Sequence, residues 1–329
     1  MKGKTNKYDK TNFFNLIELF PEQLVEADAI AQKKTFKLDR PVSNVVICGM
    51  GGSGIGGKLV QNLTKSTATV PITTHGDYSL PGFVNEHSLV CCVSYSGNTE
   101  EILSAYKEAK KRNCQVLSIT SGGKLLEWDK TAIQVPAGYP PRAALAFLFV
   151  PLLHALSQSK LVPDYSISLK QSIVSLHKNQ SKLQKTAQKI VKQIGKKMPI
   201  IYGTALFSDA AYRFTTEFNE NAKVLAHYHV IPEHNHNEIS AIPNTKNAFY
   251  ILLREQNEPA QIQKRFEFVK KLIKTKNFHE EKFNGESALE NLLTAIHLAA
   301  WTTYYLAIQH KQDPNAIPLI TQLRKELAK

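Results

Sequence analysis

At 329 residues the chain exceeds the usual size of one hydrophobic core, so it is predicted to form two domains. Its composition, 43% hydrophobic and 21% charged, is typical of a soluble globular protein, and it contains no apolar run of the ~18 residues that a membrane-spanning helix needs. The formal net charge of +13 leaves nucleic acid, an anionic substrate or a lysine-rich surface as explanations.

The N-terminal ~40 residues contain one predicted amphipathic helix, which we expect to pack on the body of the protein. They carry lysines, but neither the apolar region nor the small-residue cleavage site of a secretory signal. We therefore expect a cytoplasmic protein.

From Asn44 onward, short β-rich segments alternate with helical ones. The predicted strands are 44–50, 71–78, 88–97, 115–122 and 132–138. Near-continuous apolar strands separated by crossovers predict a parallel sheet covered on both faces, with ligands at the carboxyl ends of the strands. The four cysteines lie in these apolar segments without C-x-x-C spacing, which favours buried reduced thiols over disulfides or zinc ligands.

A lysine-rich helix follows, and no acidic residue occurs between Asp164 and Asp209. Its lysines alternate with apolar residues at helical spacing, so they form the wet face of an amphipathic helix. No helix-turn-helix, zinc-finger or aromatic RNA-binding motif accompanies them, so we expect no nucleic-acid partner. The alternation then restarts with predicted strands at 198–205 and 247–255, with the segment VLAHYHV (224–230) between them, and with predicted helices at 208–223, 259–276, 287–310 and 317–329.

The predicted fold is therefore α/β, with two doubly wound domains, each a mainly parallel sheet flanked by helices. We place the first domain and its N-terminal helix at 1–155, a helical connection at 156–197, and the second domain with its C-terminal helix at 198–329.

The loop after the first strand, GMGGSGIGGK, matches two phosphate-binding patterns in part. Gly49-x-Gly51-x-x-Gly54 has the spacing of a dinucleotide fingerprint, for which Asp77 is a poorly placed ribose ligand. Gly52-x-x-x-x-Gly57-Lys58 begins a Walker loop, but Leu59 stands where Ser or Thr would bind magnesium. Nucleotide hydrolysis is therefore not expected.

A second loop, SYSGNTEE, places Ser94, Ser96 and Thr99 between the third strand and the next helix, with Thr99 as the N-cap candidate. Hydroxyls and backbone amides that converge at a helix N-terminus suit a phosphate monoester held without metal. An ordinary capped helix is the alternative for this segment alone. Two such loops on sequential odd strands favour a phosphate ligand, with Ser53 facing the phosphate.

The segments GMGGSGIGG, SYSGNTEE and PPRAAL together resemble the sugar isomerase (SIS) domain of the bifunctional phosphoglucose/phosphomannose isomerase family. FNENAK and PEHNHNEISA resemble further signatures of that family, so the resemblance extends from about Val45 to the C-terminus. It implies two SIS domains in a homodimer, with no metal and no cofactor. It also implies interconversion of glucose 6-phosphate and mannose 6-phosphate with fructose 6-phosphate, with the phosphosugar bound by Gly51, Gly52, Ser53, Ser94, Ser96 and Thr99.

Aldose–ketose isomerisation moves a proton between C1 and C2 through a cis-enediolate, so it needs a base, a stabiliser of the enediolate and a group that opens the ring. The resemblance implies Glu220 as the base and Arg142 as the cation beside the enediolate. It implies His236, donated by the partner subunit, as the ring-opening acid/base. A basic residue of the C-terminal helix should assist, and since a guanidinium does not lose a proton we assign this role to Lys325 and sugar binding to Arg324.

Three alternatives stay open. Four histidines lie within 227–236, and with Glu233 and Glu238 they could form a zinc site, although 231–238 is predicted to be a loop and not an extended strand. A regulator that binds a phosphosugar without converting it would carry the same loops. An NAD(P)-dependent oxidoreductase would use the dinucleotide pattern.

Overall fold

The computed structural model describes residues 6–273 and 277–327, apart from the side chain of Arg324. It forms two compact units. The first comprises Leu19–Val174, and the second comprises the described residues up to Glu18 and from Ser175 onward. The division lies inside the predicted connection 156–197, and the domain boundaries themselves stay a prediction. Within 6–273 and 277–327, no helix is both long and apolar enough to cross a membrane.

The first unit contains a five-stranded sheet in which every pairing is parallel. Its strands are β1 (Asn44–Cys48), β2 (Ile72–His75), β3 (Ser88–Val93), β4 (Gln115–Thr120) and β5 (Ile133–Gln134), and they lie in the order β2-β1-β3-β4-β5. β1 and β3 are buried and rich in β-branched residues and cysteine. The expected buried thiols are confirmed, because all four cysteines are free and buried.

Helices cover both faces of this sheet. Two helices, α1 (Phe13–Glu18) and α2 (Phe20–Gln32), begin the described chain, and α1 belongs to the second unit. The first unit then has α3 (Gly51–Thr64), α4 (Glu100–Lys111), α5 (Gly123–Trp128), α6 (Leu145–Gln158) and the first part of α7 (Ser166–Ile194). Val46 and Val90 pack with Ile102 of α4, and Ile47 points to the opposite face, toward α3. The predicted doubly wound arrangement is confirmed in this unit.

The second unit repeats the arrangement with four parallel strands. These are β6 (Met198–Gly203), β7 (His227–Val230), β8 (Ala248–Glu255) and β9 (Phe278–Phe283), in the order β7-β6-β8-β9. Its helices after α7 are α8 (Ser208–Glu217), α9 (Ala260–Leu272), α10 (Ala288–Gln309) and α11 (Pro318–Leu327). α10 is largely buried, and α1 packs on it through Phe14, whose ring lies 4.9 Å from that of Trp301.

Three sequence-based expectations need correction. The single helix predicted near the N-terminus is two helices, α1 and α2, which belong to different units. The helix predicted over 208–223 ends at Glu217 and continues as one wider π-helical turn, Phe218–Ala222. β9 is a strand that the sequence analysis did not identify.

Candidate active site

The two hydroxyl-bearing loops lie on either side of the point where the order of strands in the first sheet reverses. β1 pairs with both β2 and β3, so the connection through α3 leads to one side and the connection through α4 leads to the other. The carboxyl ends of β1 and β3 therefore border a crevice that neither crossover covers. In open α/β sheets this switch point is where ligands bind.

Ser53 links the two loops. Its side chain is buried in the first turn of α3, and its Oγ accepts a hydrogen bond from the backbone amide of Tyr95 at 3.0 Å. The bond joins residues that are 42 positions apart, so the two loops form one structure. Ser53 is thus placed at the base of the crevice.

Ser94 and Thr99 form a pair of hydroxyls beside it. Ser94 Oγ lies 2.9 Å from Thr99 Oγ1 and also accepts the backbone amide of Gly97 at 3.1 Å. Thr99 is the extended N-cap residue of α4, and its hydroxyl faces Ser94 instead of capping the helix. Ser96 is exposed, with its Oγ accepting the amide of Asn98 at 3.3 Å. These hydroxyls surround the N-terminus of α4, where the helix dipole favours an anion.

We call the hydroxyls of Ser53, Ser94, Ser96 and Thr99 the hydroxyl cradle. Arg142 lies next to it. It is buried in a 3-10 turn, Pro141–Ala143, that precedes α6. A Cβ atom at Gly52 would lie only 2.8 Å from the backbone nitrogen of Arg142, so the absence of a side chain there lets the start of α3 pack directly on this turn. Arg142 is therefore held by backbone packing against the loop that carries Ser53.

Tyr95 holds the segment that leads into this turn. Its hydroxyl donates to the carbonyl of Pro136 at 2.9 Å and accepts the amide of Tyr139 at 2.9 Å. Its backbone amide donates the hydrogen bond to Ser53 Oγ described above. Burial raises the pKa of its hydroxyl, which stays protonated. This role of Tyr95 is not predicted by the sequence motifs. The signal was present, because an aromatic residue stands between the two serines of SYSG.

Glu220 lies in the π-helical turn of the second unit and is half-buried. Side-chain hydrogen bonds hold that turn in place. Asn221 Nδ2 donates to Thr303 Oγ1 of α10 at 3.0 Å, and Lys223 Nζ donates to the carbonyls of Asn221, at 3.2 Å, and Asp313. A single π turn is frequent at functional sites, because it redirects side chains at the end of a helix.

His236 is exposed at the end of a 3-10 turn, Glu233–His236. Its neighbour His234 is fully buried, and burial lowers the pKa of His234 to about 4, so that imidazole is neutral near pH 7. Of the two histidines in this turn, only His236 is accessible within its own chain. In the parts of the chain that the structure describes, no group of three or more histidine, cysteine, aspartate or glutamate side chains is arranged to bind a metal ion.

The C-terminal helix α11 carries the remaining predicted residues. Lys325 is exposed there, and the side chain of Arg324 lies outside the described part of the structure. The predicted site residues are thus divided between the units. The first unit brings Gly52, Ser53, Ser94, Thr99 and the turn of Arg142 together, and the second holds Glu220, His236 and Lys325 on three separate elements.

Comparison with known proteins agrees with this arrangement. Residues 40–138 match the family model of the SIS domain, and residues 183–327 match that of the bacterial phospho-glucose isomerase C-terminal SIS domain. The fold resembles the C-terminal domain of glucosamine-fructose-6-phosphate aminotransferase from Francisella tularensis, with a TM-score of 0.75 and 17% identity over 95% of this chain and 100% of that one. The predicted fold, two SIS domains, is confirmed.

The sequence relatives are more specific. The chain is 35% identical to a bifunctional phosphoglucose/phosphomannose isomerase of Thermoplasma acidophilum, over 87% of this chain and 90% of the relative. It is 34% identical to the protein of the same name from Thermoplasma volcanium, over 94% and 99%, and 33% identical to that of Aquifex aeolicus, over 96% and 98%. The chain therefore belongs to the bifunctional phosphoglucose/phosphomannose isomerase family.

Proposed function

We propose that this protein is an aldose–ketose isomerase that interconverts glucose 6-phosphate and mannose 6-phosphate with fructose 6-phosphate. The observation that carries the proposal is the hydroxyl cradle at the switch point of β1 and β3, with the turn of Arg142 packed against it. Such a cradle suits the phosphate of a sugar monoester, and the relatives of this chain bear the name of that activity.

In this proposal the cradle binds the phosphate and leaves the sugar carbons free to react. Ser53, Ser94, Ser96 and Thr99 donate hydroxyl hydrogen bonds to the phosphate oxygens, and the α4 dipole adds to them. Gly51 and Gly52 allow the backbone to approach the sugar. These contacts are the same in every step of the reaction, so they contribute substrate binding and orientation.

The proton transfer is assigned to Glu220. Its carboxylate removes the proton from C2 of the open-chain aldose, and that electron pair forms the C1–C2 double bond of a cis-enediolate while the carbonyl pair moves to O1. The proton then returns to C1, the O2 proton is transferred to O1, and the C2 carbonyl of the ketose forms. In the reverse direction the enediolate is protonated at C2. Protonation on one face gives glucose 6-phosphate, and protonation on the other face gives mannose 6-phosphate. Arg142 stabilises the negative charge that develops on the enediolate oxygens.

Ring opening comes first and is assigned to His236. An imidazole can transfer a proton between the ring oxygen and the C1 hydroxyl. We propose that the protein is a homodimer in which His236 completes the site of the partner subunit, and its exposure within its own chain supports this arrangement. Lys325 assists ring opening and Arg324 holds a sugar oxygen. No metal or cofactor takes part in this scheme.

The test is an assay of fructose 6-phosphate formation from each aldose phosphate in the presence of a chelator, for the wild type and for Glu220→Gln. We expect wild-type turnover of both substrates. In the variant kcat should fall ~10²- to 10⁴-fold, the usual contribution of a general base, with KM little changed. Glu127→Gln is the matched control, because Glu127 is an exposed carboxylate in the other unit, and it should retain the wild-type rate.

Other outcomes would contradict the proposal. A regulator would be indicated if the wild-type protein bound a phosphosugar without turning it over and the Glu220→Gln variant bound it with the same affinity. Saturable tight binding of NAD(H) or NADP(H) would instead indicate an oxidoreductase.

A further inference from the structure

The carboxylate of Glu238 attaches the turn that carries His236 to the second sheet. Glu238 begins a 3-10 turn two residues beyond His236. Tyr202 lies on β6 and His227 on the adjacent strand β7, which pairs with β6 in parallel. We call Tyr202, His227 and Glu238 the Glu238 clamp.

The clamp uses both carboxylate oxygens. The Tyr202 hydroxyl donates to Glu238 Oε1 at 2.6 Å, and the imidazole Nε2 of His227 donates to Glu238 Oε2 at 2.7 Å. The two donors lie on neighbouring strands, so together they hold the carboxylate at both of its oxygens. Burial raises the pKa of Glu238, but hydrogen bonds from Tyr202 and His227 outweigh burial, so its pKa lies below the ordinary value. The clamp therefore holds an ionised carboxylate.

His234 packs against Tyr202 of the clamp. Its buried ring lies 4.3 Å from that of Tyr202 and 5.8 Å from that of His229, centroid to centroid. Arg265 of α9 also donates to Asn235 Oδ1 at 3.2 Å. The segment between His234 and Glu238 is thus anchored at both ends, and His236 is the exposed residue at its centre.

We propose that Glu238 is a positioning residue, which through its bonds to Tyr202 and His227 sets the location of the His236 imidazole. The inference rests on the proposed function, in which His236 opens the sugar ring. Glu238 acts through the backbone of the turn. An acid/base group must stay within hydrogen-bond reach of the atom it protonates, and misplacement by about 1 Å can cost ~10²-fold in rate.

The first test is a double-mutant cycle in isomerase activity. Glu238→Ala should lower kcat ~10- to 100-fold with KM changed less than about twofold. Glu238→Gln retains the shape and can still bond to Tyr202, so it should recover most of the rate. In a His236→Ala background, Glu238→Ala should cost less than about twofold, since the residue it positions is gone. An equal loss in both backgrounds would overturn the proposal.

The second test does not depend on catalysis. Amide hydrogen exchange over residues 233–240 should be faster in Glu238→Ala than in the wild type, while the rest of the second unit is unchanged. Glu281→Ala is the matched control, because Glu281 also bonds to a histidine, His279, at 2.9 Å. It should leave exchange over 233–240 and kcat at wild-type values.

Unchanged exchange over 233–240 in Glu238→Ala would refute the positioning role whatever the activity. Absence of wild-type turnover would refute the proposed function, while the exchange experiment would still decide whether the clamp holds the turn.

Discussion

Ser94 and Thr99 are the residues through which the cradle can best be tested. Their hydroxyl oxygens lie 2.9 Å apart at the N-terminus of α4, so a phosphate placed there meets both. A hydrogen bond to a charged group contributes about 1.5–3 kcal/mol. Removing one should therefore raise KM ~10- to 100-fold.

We expect this increase in KM for Ser94→Ala and for Thr99→Val, with kcat changed much less, because phosphate contacts are equally strong in the ground state and the transition state. Steady-state kinetics with both aldose phosphates give the two constants. Ser66→Ala is the control, since Ser66 is an exposed serine at the opposite end of α3. A fall in kcat at unchanged KM would show that the hydroxyls do not bind the phosphate.

At this scale the sequence predicts which residue types bear the chemistry but not how they are held. Ser53, Ser94 and Thr99 could be identified because they stand in short loops after predicted strands. The bond between Ser53 and the amide of Tyr95 could not, because it joins loops that approach only when β1 and β3 pair. His227 and Glu238, both considered for zinc, form the Glu238 clamp with Tyr202, a residue whose role no local pattern indicates.

At the scale of elements, the packing of α3 on the Pro141–Ala143 turn determines where Arg142 lies. A methyl group at Gly52 would meet the Pro141 carbonyl carbon and the Arg142 nitrogen, both at 2.8 Å. Backbone atoms cannot rotate away as a side chain can. Gly52→Ala must therefore separate the helix from the turn.

We expect Gly52→Ala to lower kcat/KM at least tenfold and to destabilise the protein by about 1–3 kcal/mol, the usual cost of overpacking. The measurements are kinetics and the midpoint of urea unfolding. Gly82→Ala is the matched control, because a Cβ at Gly82 meets nothing within 4 Å, and it should be nearly neutral. Wild-type kinetics in Gly52→Ala would show that this contact does not position Arg142.

Most elements could be predicted from hydrophobic pattern, and two of the exceptions, β9 and the π turn, have physical causes. β9, with the sequence FHEEKF, is an edge strand whose central residues are charged, so it lacks the apolar pattern of the other strands. The π turn at Phe218–Ala222 follows α8 with no glycine or proline to mark where the winding changes. Its wider winding accompanies the contact between Asn221 and Thr303, which lies 82 positions away.

At the scale of the whole molecule, the two units repeat one winding pattern. In each, the first strand lies between the second and the third, as β2-β1-β3-β4 and β7-β6-β8-β9. The sequence predicts two similar domains from their rhythm. It does not predict that α1 joins the C-terminal half, because that depends on Phe14 and Ile17 finding Trp301 and His297 on α10, almost 300 residues later.

The proposed homodimer makes a prediction about hybrids. If His236 completes the partner's site, a dimer of one Glu220→Gln chain and one His236→Ala chain has one site with both residues intact. Purified through two different tags, this hybrid should show about half of the wild-type rate, although each variant alone retains only a small fraction of that rate. The mirror experiment pairs a wild-type chain with a chain that carries both substitutions.

In that mirror hybrid, each site lacks one of the two residues when His236 acts across the interface, so it should be inactive. If instead His236 served the site of its own chain, the results would reverse, because the wild-type chain would keep one complete site and the first hybrid would have none. Size-exclusion chromatography with light scattering verifies that both hybrids are dimers. The pair of measurements thus separates a shared site from a self-contained one without requiring any change in folding or affinity.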